Sequence, residues 1–294
     1  MNTTKTLKQI ESVRKITESH MVGDGLPVRQ VFSPRGADNT FSPFIMLDYI
    51  GPAKFPPMEK QKGVDEHPHR GFETVTLVFQ GVLEHRDSAG NAGRIEAGDV
   101  QWMTAASGVV HEEKHGKELM RNGGVLEAAQ LWVNLPAKDK MGKPKYQALT
   151  AASIPTVPLE NGALRIVAGR YRDAHGPAAT HTELNVWDLR IRPGVSELEI
   201  PESHTTLVVV VEGETLVNDS ERVSGLELVQ FGRSGGAIRV EASTEAHLLV
   251  LTGVPIDEPV VSYGPFVMNS QAEIHAAIRD YQEGKMGRLD DSAN

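Results

Sequence analysis

Asp65-Glu66-His67-Pro68-His69-Arg70-Gly71-Phe72-Glu73 sets two histidines two residues apart. Further along, His111 and Glu113 repeat that spacing. Side chains of a β-strand return to the same face with period two. Each pair therefore aims its two donor atoms at one spot, provided both segments are strands on neighbouring walls. Three imidazoles and one carboxylate form an N/O donor set that suits a divalent first-row transition metal. Four protein ligands on an ion that prefers higher coordination leave positions open, as in a working site and unlike a sealed structural one. Pro68, which has no backbone donor, belongs at an edge or opening of a sheet.

Composition is compatible with this reading. At 294 residues the chain is long enough for two packed domains or one large one. Hydrophobic content of 39% beside 23% charged residues is that of an ordinary globular protein. Glycine (28) and proline (17) are plentiful, which favours short strands joined by turns. There is no cysteine, so disulfides and thiolate metal sites are excluded and a metal must be held by histidine and carboxylate. The net charge of −9 repels phosphate backbones and argues against direct nucleic-acid binding. The amino-terminal Met1-Asn2-Thr3-Thr4-Lys5-Thr6-Leu7-Lys8 lacks the apolar core of a signal peptide. The longest apolar run, Leu207 to Val211, is too short to span a membrane. A cytoplasmic protein without membrane segments is expected.

Around the histidines the pattern is strand after strand. Thr74 to Phe79 is β-branched and aromatic, with Val75, Leu77 and Phe79 on one parity. These odd positions share parity with His67, His69 and Glu73. If no bulge intervenes, ligands and core residues face one interior. Gly71 is a candidate bulge, which leaves the direction of Glu73 open. Polar turns follow at 87–93 and 97–99, then strands at 100–104, 109–113 and 126–135. After a Lys- and Pro-bearing connection the pattern restarts, with short strands at 164–169, 184–191, 207–211, 226–231 and 248–252, the spacing of a sandwich or barrel.

The second half echoes the first. Pro201-Glu202-Ser203-His204, an apolar strand and Glu212-Gly213 run parallel to the segment from His67 to Gly81. Only His204 stands in the place of the first pair, and no His-x-Glu follows, so the second half reads as a copy of the fold without its site. Near the end, Ser270 with Glu273 three residues on forms a capping box. Ile274, Ala277, Ile278 and Tyr281 then make one apolar helical stripe, and Gly284 closes the helix at about 270–283.

With these residues in view, the chain resembles the pirin family of the cupin superfamily. The resemblance rests on His67-Pro68-His69-Arg70-Gly71-Phe72-Glu73-Thr74-Val75, Gly98-Asp99-Val100-Gln101-Trp102-Met103-Thr104-Ala105, Gly108-Val109-Val110-His111-Glu112-Glu113, Gln130 to Pro136 and Tyr263 to Asn269. One departure is Ala106, where the family usually has glycine. The resemblance implies an all-β bicupin: two antiparallel β-barrel (jelly-roll) domains facing each other, with a C-terminal helix. Domains of 1–140, carrying the metal, and 141–294, without metal and ending in the helix, are expected. It implies His67, His69, His111 and Glu113 as ligands of one divalent transition-metal ion, iron(II) first, with Mn, Co, Ni, Cu or Zn as alternatives. Glu73 sits where many other cupins carry a ligand carboxylate.

Two functions follow from the resemblance. The first is a quercetinase-type dioxygenase that opens a flavonol ring with O₂ and releases carbon monoxide. In it the metal lowers the pKa of the bound hydroxyl and Glu113 takes the proton as catalytic base. Its partners would be a small aromatic, flavonol-like ligand and O₂. The second is a regulatory metal-binding protein that senses redox state or occupancy and acts through a protein partner, without turnover.

Overall fold

The computed structural model describes residues 5–34 and 39–289. It falls into two compact units. The histidine-bearing unit gathers Glu18–Thr40, Phe44–Ala151 and Ile256–Asn294, and the other gathers Met1–Thr17, Phe41–Pro43 and Ala152–Pro255. A division at 140/141 follows chain order, whereas the units exchange both ends. Ile10–Lys15 pairs with Glu227–Phe231, and Gln271–Gln282 packs on the unit that holds the histidines.

Each unit has one seven-stranded, one four-stranded and one two-stranded sheet among the described residues, all with antiparallel ladders. In the histidine-bearing unit the large sheet runs Lys145–Leu149, Val100–Thr104, Phe72–Gln80, Gly124–Asn134, Phe44–Phe55, Leu26–Phe32, His20–Val22. The small one runs Gly63–His69, Val109–His115, Val82–Asp87, Ala92–Glu96. The other unit repeats both orders. Its large sheet runs Ile10–Lys15, Glu227–Phe231, Thr205–Glu212, Ala246–Gly253, Leu184–Ile191, Gly162–Ala168, Thr156–Leu159. Thr205–Glu212 and Glu227–Phe231 hold the places of Phe72–Gln80 and Val100–Thr104, as the sequence echo requires. The fold is that of a two-domain cupin with a C-terminal helix.

The two interiors differ. In the second unit Leu164, Trp187, Leu198, Val208, Ile238 and Val250, among others, meet from both sheets and fill the space. Each such side chain contributes roughly 1.5–3 kcal/mol when fully buried. His204 is buried in this unit, its Nδ1 3.2 Å from Thr252 Oγ1. In the histidine-bearing unit the apolar cluster of Leu26, Val28, Ile50, Val78, Leu83 and Leu126 occupies only part of the space between the sheets. A cavity of about 250 Å³ remains beside it.

The helix begins as its sequence requires. Ser270 Oγ accepts from Glu273 N, and Glu273 Oε2 accepts from Asn269 N and Ser270 Oγ. Ile274 and Ala277 pack with Val110, Phe266 and Met268. Val110 precedes His111, so the helix backs the strand that carries the site.

Candidate metal centre

The site is assembled by strand pairing. Gly63–His69 is an edge strand, the position proline tolerates, and lies against Val109–His115. His67 is directly opposite His111, and on the other side of the same strand Glu113 is opposite His85. Residues directly opposite in an antiparallel pair share a face. Four of these side chains therefore converge although they come from three strands. His69, two residues on, joins them. The imidazole centroids lie 4.3 Å (His67–His111), 4.8 Å (His67–His69) and 4.9 Å (His69–His111) apart.

Donor and acceptor logic then fixes the lone pairs. His67 Nδ1 is 2.8 Å from Asp65 O and His69 Nδ1 is 3.4 Å from Pro265 O. A carbonyl oxygen only accepts, so both Nδ1 atoms carry hydrogen. The neutral rings thus turn Nε2 lone pairs toward each other at 3.1 Å. Such a contact is favourable only with a shared cation, a proton or a metal ion. Burial, reinforced by His67, holds His69 well below the usual imidazole range, which disfavours the proton. Burial does the same to His111, with His67, His69 and His85 adding to it. His111 Nε2 is buried and has no hydrogen-bond partner among the described residues. Donor atoms of His67, His69 and His111 lie within 4.8 Å of one another, and so do those of His85, His111 and Glu113. A His/His/His/Glu group of this kind can hold a metal ion.

Glu113 is buried against polar groups of the large sheet. Gln130 Nε2 lies 3.4 Å from Oε2 and Gln101 Nε2 3.5 Å from Oε1. Thr76 Oγ1 is 3.1 Å from Glu113 Oε1 and 2.6 Å from Gln130 Oε1. Its single hydroxyl hydrogen serves one of the two, and the shorter contact goes to Gln130. Glu112 points the other way, accepting from Arg86 Nε at 2.5 Å.

Glu73 is elsewhere. Its Oε1 accepts from Thr104 Oγ1 at 2.6 Å, and it belongs to neither donor group. The cause is Gly71, whose φ of +90° turns the chain from the small sheet into the large one. Past this turn the parity reverses. The even positions face the histidines: Phe72 touches His69 with ring centroids 5.0 Å apart, and Thr76 lines the cavity. The odd-parity alignment of ligands with Val75 and Leu77 does not survive the turn. Gly71 O accepts from the buried Lys140 Nζ, which also donates to Asn134 Oδ1 and Val267 O. Ala106, which stands in place of the family glycine, adopts φ +43° and accepts from Gly71 N.

Above the donors the cavity is lined by Met46, Ile50, Val64, Leu83, Trp132 and Pro265, with Asp48, Thr76 and Gln130 as polar groups. Asp48 lies opposite Gln130 and accepts from Gln30 Nε2 at 3.3 Å. Burial pushes its carboxyl up to about 6, although Gln30 draws it partly back.

Sequence reading overlooked His85 and Asp87. His85 Nδ1 is 3.3 Å from His111 Nδ1, and His85 Nε2 is 3.2 Å from Asp87 Oδ2. The available signal was a third pair at spacing two, His85-x-Asp87, masked because Asp87 also opens a turn.

The pirin family model matches residues 25–133, and the model of the pirin C-terminal cupin domain matches residues 186–287. Pirin-1 of Arabidopsis thaliana is 42% identical over 233 residues, 76% of this chain and 78% of that protein. The chain belongs to the pirin family. A Pseudomonas aeruginosa relative of this pirin, named "putative quercetin 2,3-dioxygenase", is 49% identical over 285 residues, 96% of this chain and 99% of its own. Among solved structures, a quercetin 2,3-dioxygenase from Acinetobacter baumannii has a TM-score of 0.94 at 47% identity, covering 97% of this chain and all of its own. Bacterial pirin YhhW from Escherichia coli, solved in complex with nickel(II), shares the fold with a TM-score of 0.65 at 21% identity, over 83% of this chain and 99% of its own. No described helix of this pirin is long and apolar enough to cross a membrane.

Proposed function

We propose that this pirin is a metal-dependent dioxygenase of quercetinase type, with His67, His69, His111 and Glu113 holding one divalent transition-metal ion, iron(II) first. The metal-bearing domain is the unit built on Phe44–Ala151, and the unit built on Ala152–Pro255 is without metal. The observation that carries the reading is the convergence of three imidazoles beside an apolar cavity. In it His67 and His69 turn Nε2 toward each other, and His111 Nε2 is buried without a partner among the described residues. Relatives named as quercetin dioxygenases, similar over nearly the whole chain, support the substrate class.

When bound, the ion supplies Lewis-acid polarisation of a hydroxyl and a redox partner for O₂. The protein's own residues do the rest. Trp132 and the aliphatic wall receive an aromatic ring system and keep water away. At about 250 Å³ the cavity lies just below the range of ligand pockets, roughly 300–1,000 Å³, so a flavonol would have to fit it tightly. Glu113, with acceptor capacity left after its long contacts to Gln101 and Gln130, takes the hydroxyl proton of the flavonol.

The test is incubation of protein loaded with iron(II), and separately with Mn, Co, Ni or Cu, with quercetin in air. Loss of the flavonol absorbance with release of carbon monoxide is expected. Metal uptake without turnover under all five ions would overturn the dioxygenase and leave a metal-sensing regulator that works through a protein partner.

A further inference from the structure

We infer that His85 and Asp87 are positioning residues of the metal centre, fixing the His111 ring in the one tautomer that presents Nε2 as a ligand. The inference rests on the metal-centre reading above and adds a part that the ligand set leaves out.

Asp87 is the fixed end of the chain of contacts. Its Oδ1 accepts from Ala89 N at 2.9 Å, Asn91 N at 3.0 Å and Asn91 Nδ2 at 3.1 Å. Its Oδ2 accepts from Asn91 Nδ2 at 3.0 Å and faces His85 Nε2 at 3.2 Å. Every neighbour is an N–H donor, so the carboxylate acts as acceptor throughout and His85 Nε2 must carry hydrogen. A hydrogen on His85 Nδ1 as well would force the His111 hydrogen onto Nε2, which is buried with no acceptor among the described residues. The lone pair of His85 is therefore placed on Nδ1. That lone pair lies 3.3 Å from His111 Nδ1, which must donate to it. His111 Nε2 is thereby stripped of hydrogen, and it is the buried nitrogen with no partner among the described residues. A carboxylate thus dictates the tautomer of a ligand two rings away.

The support is rigid. His85 and Asp87 side chains are fully buried. The Tyr146 ring stacks over His85, with centroids 5.1 Å apart and planes 20° apart. The two strands are hydrogen-bonded neighbours, with His111 opposite Asp87. Both nitrogens of His85 are committed, one to Asp87 and one to His111. Although its donor atom lies within 4.8 Å of those of Glu113 and His111, it has no lone pair left to offer a metal. Orientation of a metal-bound imidazole through its other nitrogen is a general device, and its loss costs roughly 10–100-fold in metal affinity.

The experiment compares His85→Gln, whose Oε1 can accept from His111 Nδ1, with His85→Met, which has similar length and no such acceptor. His85→Phe, which keeps the stacked ring, is the second acceptor-free variant. Cobalt(II) is titrated into metal-free protein against a chelating dye, and its d–d bands are recorded. Circular dichroism and the melting of the metal-free proteins report the fold. Folded Met and Phe variants should bind cobalt(II) about 10–100-fold more weakly than the parent with displaced bands, and the Gln variant should recover most of the affinity. The inference is overturned if either folded acceptor-free variant matches the parent in affinity and spectrum. It is equally overturned if Gln is as weak as Met, since packing and not the acceptor would then be at work. Absence of cobalt(II) uptake by the parent protein would instead sink the metal centre itself.

Discussion

At the scale of single residues, two neighbouring carboxylates make opposite predictions. Glu113 faces the histidines, whereas Glu112 pairs with Arg86 on the outer face at the half-buried surface. Glu113→Gln should remove turnover and lower metal affinity by at least the roughly 10–100-fold that outer-shell changes cost. Glu112→Gln loses a pair worth about 0.5 kcal/mol and should leave both unchanged. Metal content by elemental analysis, with flavonol turnover beside it, checks both. Asp48 gives a prediction in pH. Its folded carboxyl titrates at about 6 against an ordinary value of 3.8. Between those values the native state keeps a proton that the unfolded chain has released, so stability falls as pH rises through that window and is flat above it. Asp48→Asn should therefore be neutral near pH 3.5 and stabilising at pH 7, by up to about 3 kcal/mol at ~1.4 kcal/mol per pH unit. Urea unfolding at the two pH values decides it; equal differences at both would show that the carboxyl is not displaced.

At the scale of elements, the turn at Gly71 decides which side chains meet. A Cβ there would lie 2.0 Å from Val267 O, and φ is +90°. Gly71→Ala must move backbone and should destabilise by more than about 3 kcal/mol while releasing metal. Denaturant midpoint and metal content measured together test this, and an unperturbed site would show that the turn is dispensable. The same turn marks the limit of what could be read from sequence. The convergence of His67, His69 and His111, and of Glu113 with His111, was legible because period two survives within a strand, and the Ser270–Glu273 box because a helix start is local. Glu73 was not, since one glycine reverses parity and only the sheet switch tells which way. His85 was not, because its value lies in standing opposite Glu113 across a ladder, a relation between strands. Asp87 was visible only as a turn residue, which it also is.

At the scale of the whole molecule, both ends of the chain matter to units they do not adjoin in sequence. Residues from Ile256 onward carry no proposed ligand, yet Phe266, Met268 and Ile274 pack on Val110, Arg70 pairs with Asp280, and His69 Nδ1 meets Pro265 O. Removing residues 256–294 should therefore lower metal uptake although all four ligands remain. Elemental analysis of the soluble fraction measures it, and full metal content would refute the dependence.

That exchange of ends also sets an order in time. As the chain leaves the ribosome, Ile10–Lys15 emerges early, but its neighbour in the sheet, Glu227–Phe231, is made long afterwards. The histidine-bearing strands likewise wait for the last helix before Val110 is covered. Neither unit can be completed during synthesis of the first half, so an edge strand and an apolar patch stand open until Glu227–Phe231 and Gln271–Gln282 are made. Folding of each unit is thereby tied to synthesis of its late segments, and a stop codon ahead of the Glu227–Phe231 strand leaves neither unit intact.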